Sequence, residues 1–201
     1  MRKGLAIAAS LFLFVPLSWA LQPGDRLPES VLETKMEGVD GKMWTLKDKM
    51  GPKGLLVIFS CNHCPWVKAW QARIVALGNE YSKKGVGVIA VNANDPTSYP
   101  DDDLEHMKVQ AQQHGYQFAY VVDSTSGVAR AFGATKTPEA FLFDANGVLV
   151  YHGTIDDNAE KPEKVTKTYL ADALKAVVEG KPVPIAETKA LGCSIKFRAT
   201  Q

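Results

Sequence analysis

Residues 55–66 read LLVIFSCNHCPW, and this stretch decides the fold. Residues 55–59 form a continuous apolar run of strand length, typical of a strand buried on both faces in a parallel sheet. A helical pattern follows at once, with apolar residues three or four positions apart; these are Trp66, Trp70, Ile74, Leu77 and Tyr81. The stretch predicts a strand that leads into an amphipathic helix, with two cysteines at the junction.

The remaining chain continues this alternation of strands and helices. We predict further strands at residues 43–46, 86–91, 118–122, 140–143 and 148–151, and helices that end near residues 114, 132 and 180. Asn146-Gly147 lies between the last two strands, which is a strong hairpin signal. Because alternating elements come first and a hairpin closes the pattern, the sequence predicts an α/β fold with a central mixed sheet flanked by helices.

Residues 1–20 have the features of a secretory signal peptide. Arg2 and Lys3 precede an uncharged apolar segment, and Ser18-Trp19-Ala20 places small residues at a cleavage site. The apolar run is too short to cross about 30 Å of hydrocarbon as a helix, so a membrane anchor is the less favoured alternative. We therefore expect a mature domain at residues 21–180 with an N-terminal extension, a tail at 181–201, and a periplasmic or secreted protein.

Composition excludes several classes of protein. The 201 residues are 46% hydrophobic, which excludes disorder, and 22% charged with nearly balanced signs, which argues against a nucleic-acid binder. Three cysteines are too few for a disulfide scaffold. Loss of Arg2 and Lys3 with the signal peptide would change the net charge from +1 to −1.

The C-x-x-C pair, Cys61 and Cys64, is the main candidate for chemistry. We expect both in the first turn of the helix, where free N–H groups and the helix dipole favour a thiolate. Cys61 is predicted to be the exposed nucleophile and Cys64 the buried resolving thiol, with His63 as a titratable neighbour. A stabilised thiolate makes the disulfide a better oxidant. Zinc sites share this spacing, so the motif alone leaves the chemistry open.

Several segments resemble the thioredoxin-like superfamily, and in detail its redoxin and peroxiredoxin (AhpC/TSA-type) branch. The matching pieces are FSCNHCPWVKAW, GVGVIAVNANDPTSYPDD, FGATKTPEAFLFDANGVLVYHG, GKPVP and GCSIKF. The resemblance implies a thioredoxin fold, a cis peptide at Pro138, and a Thr137 backbone that binds an extended substrate by strand addition. It places Lys136 near the thiolate. It implies no cofactor, and as partners it implies protein or small-molecule thiols and disulfides with a membrane or periplasmic redox partner.

Two departures from family patterns bear on the activity. Thioredoxin has a buried acid six residues before its first cysteine, and Leu55 stands there in this chain. Peroxiredoxins have the pattern P-x-x-x-T-x-x-C. If Cys64 is aligned with the cysteine of this pattern, Val57 stands at the proline position and Cys61 at the threonine position. The leading hypothesis is an exported thiol–disulfide oxidoreductase. The alternatives are an antioxidant thiol peroxidase that uses the same cysteines and a copper- or zinc-binding thioredoxin-fold module that includes His63.

Two further features leave alternatives open. Cys193 in the tail could be a third thiol that reaches the pair or forms an intermolecular bond. It could also be a small apolar residue that fixes the tail to the domain, and we expect this second role. Asp101-Asp102-Asp103 could bind calcium, but acidic residues are also favoured at a helix N-terminus, and we expect the second role.

Overall fold

The computed structural model describes residues 20–199, so the predicted signal peptide lies outside the described residues apart from Ala20. The strands are β1 (Met36–Gly38), β2 (Met43–Trp44), β3 (Gly54–Phe59), β4 (Val86–Asn92), β5 (Ala119–Val122), β6 (Lys136–Thr137), β7 (Glu139–Asp144), β8 (Leu149–Gly153) and β9 (Cys193–Ser194). The helices are α1 (Glu29–Leu32), α2 (Leu46–Lys49), α3 (Pro65–Lys83), α4 (Leu104–His114), α5 (Gly127–Phe132) and α6 (Tyr169–Glu179), and short 3-10 turns cover Pro100–Asp102 and Pro162–Lys164.

The central sheet is mixed, as the sequence predicts. One ladder runs β2-β1-β5-β4 and another β3-β7-β8, and β4 pairs with β5 in parallel while β7 and β8 form the predicted hairpin. The two ladders meet where β3 lies beside β4, and the backbone N–H of Ser60 donates to the carbonyl of Val91 at 2.9 Å. This arrangement places the end of β3, with its cysteines, in the middle of the sheet.

Strand β3 is buried on both faces because its side chains alternate between two apolar clusters. Leu56 and Ile58 pack with α3 and α6 on one face, and Leu55, Val57 and Phe59 pack with α5 on the other. All five are fully buried. Burying a side chain of this size stabilises a fold by about 1.5–3 kcal/mol, so the strand is a firm base for the loop that follows it.

Two local expectations are wrong. Only Met43–Trp44 of residues 43–46 is a strand, because Thr45 caps α2 through a reciprocal capping box with Asp48. Trp66 was expected in the apolar stripe of α3, but its side chain is 38% exposed, whereas Trp70 is fully buried. Trp66 therefore lies outside the core, at the rim of the candidate site.

The chain enters the domain beside the C-terminal end of α5. The backbone N–H of Leu21 donates to the carbonyl of Phe132 at 3.1 Å. Gly133 follows with φ +65°, the left-handed conformation that ends many helices, and a Cβ there would lie 2.3 Å from the Cα of Ala20. Glycine thus permits both the turn and the close approach of the entering chain.

The tail forms a strap, which we define as residues 186–198, across the end of the sheet that carries the cysteines. It begins along β8, where the His152 N–H donates to the Ala186 carbonyl at 2.9 Å. It then pairs β9 with β6 in antiparallel register, and it reaches the loop after β4, where the Asp95 N–H donates to the Lys196 carbonyl at 2.7 Å. Within residues 20–199, no helix combines the length and hydrophobicity needed to cross a membrane.

Candidate active site

The two cysteines of the C-x-x-C motif lie between β3 and α3. Cys61 lies in the loop, and Cys64 is the N-cap residue with extended backbone (φ −64°, ψ 123°). The expectation that both cysteines belong to the first helical turn is wrong. Pro65 occupies the first helical position, and a proline pushes the residue before it toward extended backbone, so the helix begins after the motif.

Both sulfur-bearing side chains are buried. Cys61 is 1% exposed and Cys64 is fully buried, so the expectation of an exposed Cys61 is also wrong. The cover comes from two segments far away in sequence, namely the loop before β7 and the strap. Local sequence therefore places the cysteines correctly at the strand–helix junction, but it does not reveal what lies over them.

The loop before β7 touches both sulfur atoms. The Thr137–Pro138 peptide is cis, as the resemblance implies. The Thr137 hydroxyl lies 3.3 Å from the Cys61 Sγ, and the Cys64 Sγ donates to the Thr137 carbonyl at 3.1 Å. Thr137 is thus the residue that bridges the pair.

The strap brings the third cysteine to the same place. In the β6–β9 pairing Cys193 lies opposite Thr137, and its half-buried side chain packs against the cluster of Cys61, Cys64 and Val67. Both interpretations of Cys193 left open above agree with this placement, because the residue lies against the pair and also holds the tail on the domain. All three cysteines are free thiols.

The three thiols differ in acidity. A hydrogen bond from Cys61, then one from the Cys193 side chain, lowers the pKa of Cys64 to about 4, and the backbone N–H groups of Val67 and Cys193 act in the same direction. The bond to Cys64, followed by burial and by the charge of Asp102, raises the pKa of Cys61. Burial, and then the bond to Cys64, raises the pKa of Cys193 to about 11.

The Thr137 carbonyl opposes the ionisation of Cys64, because it accepts a hydrogen bond only from the protonated thiol. Burial also raises the pKa of Cys64, but the interactions with Cys61, Cys193 and Val67 that lower it are together larger. The direction of these shifts makes Cys64 the most acidic of the three thiols.

Asp102 holds the loop that contains the motif. Its buried carboxylate accepts hydrogen bonds from the backbone N–H groups of Asn62 (2.7 Å) and His63 (3.2 Å) and from the Asn94 amide (2.8 Å). Its other contact is the Nδ1 atom of His63, at 2.5 Å. The expected role at a helix N-terminus belongs to Asp103, which caps α4 by accepting from the His106 N–H. No sequence signal separated these two neighbours.

His63 is held between an acid and an aromatic ring. Its side chain is 19% exposed, its ring stacks on Tyr99 with centroids 4.4 Å apart, and its Nδ1 atom faces Asp102. One group of side chains among residues 20–199 is close enough to hold a metal ion. Its ligand atoms lie within 4.8 Å of one another and belong to Cys61, His63 and Asp102. A thiolate, an imidazole and a carboxylate are ligands that zinc accepts, although in this arrangement His63 and Asp102 already bind each other.

Glu139, directly after Pro138, is a buried acid that the sequence analysis missed. One carboxylate oxygen accepts the backbone N–H groups of Thr135 and Lys136, both at 2.8 Å, and the other lies 2.7 Å from His152 Nε2. Lys136, expected near the thiolate, lies in β6 opposite Ser194. Lys196 is the lysine whose charge affects a thiol. It lowers the pKa of Cys193, but burial has a larger effect and raises that pKa.

Comparisons with solved structures reveal two similar proteins over nearly the whole chain. A hypothetical protein from Sinorhizobium meliloti 1021 is 33% identical with a TM-score of 0.81, and the match covers 90% of this chain and 98% of that one. An uncharacterized conserved protein from Geobacillus kaustophilus is 38% identical with a TM-score of 0.80, covering 89% and 94%. A thioredoxin-like protein in the oxidized form (22% identity, TM-score 0.60, covering 80% and 97%) shares the fold.

A curated relative carries a functional name. The thiol-disulfide oxidoreductase ResA of Halalkalibacterium halodurans is 28% identical over 127 residues, which are 62% of this chain and 66% of that protein's length. This relative supports the prediction of an oxidoreductase enzyme. The model of the AhpC/TSA family matches residues 23–152, which include β3, the cysteine pair, the cis peptide and most of the closing hairpin. The chain belongs to the AhpC/TSA family, with a thioredoxin-like fold.

Proposed function

We propose that this protein is an exported enzyme that exchanges thiols and disulfides through Cys61 and Cys64. The observation that carries the proposal is the burial of both cysteines together at the strand–helix junction, where Thr137 touches each sulfur. The name of the ResA relative supports the same class of reaction. The substrate class is protein or small-molecule thiols and disulfides, and a membrane or periplasmic redox partner would restore the pair.

The reaction uses the single proton that the two sulfurs share. When that proton passes from Cys61 to Cys64, the Cys61 thiolate attacks a substrate disulfide, a mixed disulfide forms, and one substrate thiolate leaves. Cys64 then gives its proton to the departing substrate sulfur and attacks the Cys61 sulfur, which releases the second substrate group as a thiol and forms the Cys61–Cys64 disulfide. The pair gives two electrons to the substrate, and the reverse sequence oxidises a substrate dithiol.

Serine substitutions test the assignment. Cys61→Ser and Cys64→Ser should each abolish insulin reduction and dithiol oxidation, because the first lacks the sulfur that attacks the substrate and the second lacks the sulfur that resolves the mixed disulfide. The matched control is the double variant, which still carries the Cys193 thiol and should be equally inactive. Full activity of Cys61→Ser, with thermal unfolding unchanged, would remove the proposal.

A thiol peroxidase is the second candidate, and membership of the AhpC/TSA family is the observation in its favour. Against it, Val57 and Cys61 occupy the positions where the peroxiredoxin pattern has proline and threonine. Stopped-flow measurement distinguishes the two activities. We expect hydrogen peroxide to oxidise the reduced protein no faster than it oxidises free cysteine, whereas a much faster reaction would favour the peroxidase.

Export rests on residues 1–20. The charged start, the short apolar segment and the small residues before position 21 are the features of a cleaved signal peptide. We expect the mature protein to begin at Leu21, in the periplasm or outside the cell. Intact mass spectrometry of protein from the periplasmic fraction checks this, and recovery of the uncut chain in the cytosol would contradict it.

A further inference from the structure

The strap occupies the edge at which a substrate is expected to bind. The backbone of Thr137 was expected to bind an extended substrate segment by strand addition, and in the structure β9 is already added there. Thr137 pairs with Cys193, and Lys136 pairs with Ser194. The strap therefore presents a cysteine of this same chain at the position of the substrate.

The position of Cys193 is fixed on both sides. Before it, Gly192 lies so close to β6 that a Cβ atom would be 2.2 Å from the Thr137 carbonyl oxygen. After it, the Ile195 side chain is buried and its N–H donates to the Thr135 carbonyl at 2.9 Å. A register shift of one residue would expose Ile195 and turn the thiol away from the pair.

The sulfur of Cys193 meets Cys64 at the N-terminal end of α3. The Cys193 side chain packs against the cluster of Cys61, Cys64 and Val67, and Val67 lies in the first turn of α3. The neighbouring Cys64 also contributes to the raised pKa of Cys193. Cys64 thus has a cysteine partner on each side, Cys61 from its own loop and Cys193 from the strap.

We propose that Cys193 is a third redox-active cysteine, which exchanges with the Cys61–Cys64 disulfide to give a Cys64–Cys193 disulfide. The Cys193 sulfur attacks Cys64, the bond between Cys64 and Cys193 forms, and the bond between Cys61 and Cys64 breaks. The proton of Cys193 passes to the departing Cys61 sulfur. One disulfide replaces another, so no external oxidant is consumed in this step.

This inference rests on the proposed function, because that reaction supplies the Cys61–Cys64 disulfide. Its consequence is regulation of the same site. A Cys64–Cys193 bond ties the strap covalently to the end of α3 and keeps β9 on the substrate edge. Oxidised protein would then exist in two forms. With the Cys61–Cys64 disulfide the strap can leave the substrate edge, and with the Cys64–Cys193 disulfide it is held there.

Disulfide mapping tests the exchange. Wild-type protein and Cys61→Ser are equilibrated with oxidised glutathione, and the disulfides are identified by mass spectrometry of peptides under non-reducing conditions. We expect Cys64–Cys193 to be the main intramolecular disulfide in Cys61→Ser and a measurable fraction in the wild type. In Cys64→Ser, a Cys61–Cys193 disulfide should form at least tenfold more slowly.

A matched variant moves the strap thiol by one residue. Ser194 is exposed, and neighbouring residues of a strand point to opposite faces, so Cys193→Ser with Ser194→Cys keeps the thiol but turns it away. In the Cys61→Ser background this pair of changes should abolish the cross-link to Cys64. Equal cross-linking from position 194 would overturn the proposal.

The outcomes separate this inference from the proposed function. If wild-type protein forms Cys61–Cys64 and turns over substrate, but neither wild type nor Cys61→Ser yields Cys64–Cys193, then the third-cysteine proposal is wrong and the proposed function stands. If wild-type protein forms neither a Cys61–Cys64 nor a Cys64–Cys193 disulfide, both are overturned.

Discussion

The loop of the C-x-x-C motif and the strap each bring a cysteine to the start of α3, and the two thiols differ in acidity. Hydrogen bonding from Cys61 lowers the pKa of Cys64 to about 4, whereas burial and the neighbouring Cys64 raise the pKa of Cys193 to about 11. Cys64 is the N-cap residue of α3, where the positive end of the helix dipole favours negative charge. A second thiol in the same place keeps its proton, since ionisation would set two thiolates side by side.

The two regions also differ in how they are held. The loop follows a fully buried strand, and the buried carboxylate of Asp102 fixes its backbone. The strap is held mainly by backbone hydrogen bonds to β6, β8 and the loop after β4. Among residues 186–198 only Ile195 is buried, while Leu191 and Phe197 are 38% and 39% exposed. Regions with few buried contacts open at lower free energy than a core does. The loop is therefore a fixed part of the site, and the strap is the part that can leave.

The largest expected effect concerns acidity. In the reduced protein the thiolate absorbance at 240 nm should correspond to one thiolate at neutral pH and should fall as the pH drops through about 4. An ordinary cysteine loses its thiolate near pH 8.5, so the acid dissociation constant differs by a factor of about 10⁴. The thiolate signal is lost at lower pH than in an ordinary cysteine, because a lowered pKa keeps the thiolate deprotonated down to that lower pH.

Replacing Cys64 tests whether it is the thiol with the lowered pKa. In Cys64→Ser the neutral-pH thiolate signal should disappear, and the pKa of Cys193 should fall below about 11 because its bond and repulsion from Cys64 are gone. A neutral-pH thiolate that persists in Cys64→Ser would show that the charge resides on a different cysteine.

The next effect concerns stability. Asp102→Ala should lower the free energy of unfolding by about 2–5 kcal/mol, because it leaves buried N–H groups of Asn62 and His63 without an acceptor. Urea unfolding followed by fluorescence measures the change. Asp101→Ala is the matched control, since the side chain of Asp101 is exposed and only its carbonyl contacts Asn62. Equal losses in both variants would contradict the assigned role of Asp102.

The smallest effect concerns the strap. Gly192→Val should displace β9 from Thr137 and increase the rate of iodoacetamide labelling at Cys61 and Cys64 about tenfold, the equivalent of about 1.4 kcal/mol. Leu191→Ala changes an exposed neighbour and should leave the rate as it is. An unchanged rate in Gly192→Val would mean that the strap does not limit access to the pair.

Sequence patterns predicted the elements that depend on local periodicity. The run at residues 55–59, the apolar stripe that follows it and the Asn146-Gly147 turn correspond to β3, α3 and the β7–β8 hairpin. Each of these signals arises from neighbouring residues, because the burial of a strand or helix face repeats along the chain itself. The order of these elements sufficed for the α/β class.

The candidate site was only partly predictable because most of its contacts join distant segments. The cysteine pair was visible as a motif, and Thr137 and Pro138 were implied by resemblance. Asp102 contacts a loop some 40 residues away, and Cys193 reaches the pair from the tail. A single buried carboxylate or thiol does not recur along the chain, so no periodic pattern in the sequence marks either contact. The strap also covers the cysteine pair, which the sequence analysis expected to be exposed at Cys61.

The contact between Leu21 and Phe132 has a consequence for maturation. Cleavage after Ala20, as proposed, would convert the nitrogen of Leu21 from an amide into a terminal ammonium group. That nitrogen already donates to the carbonyl of Phe132, at the C-terminal end of α5, where helix carbonyls carry partial negative charge. A charged donor makes a stronger hydrogen bond than a neutral one, so processing would reinforce the attachment of the new N-terminus. The folded domain thus contains an acceptor suited to the N-terminus that the proposed cleavage would create.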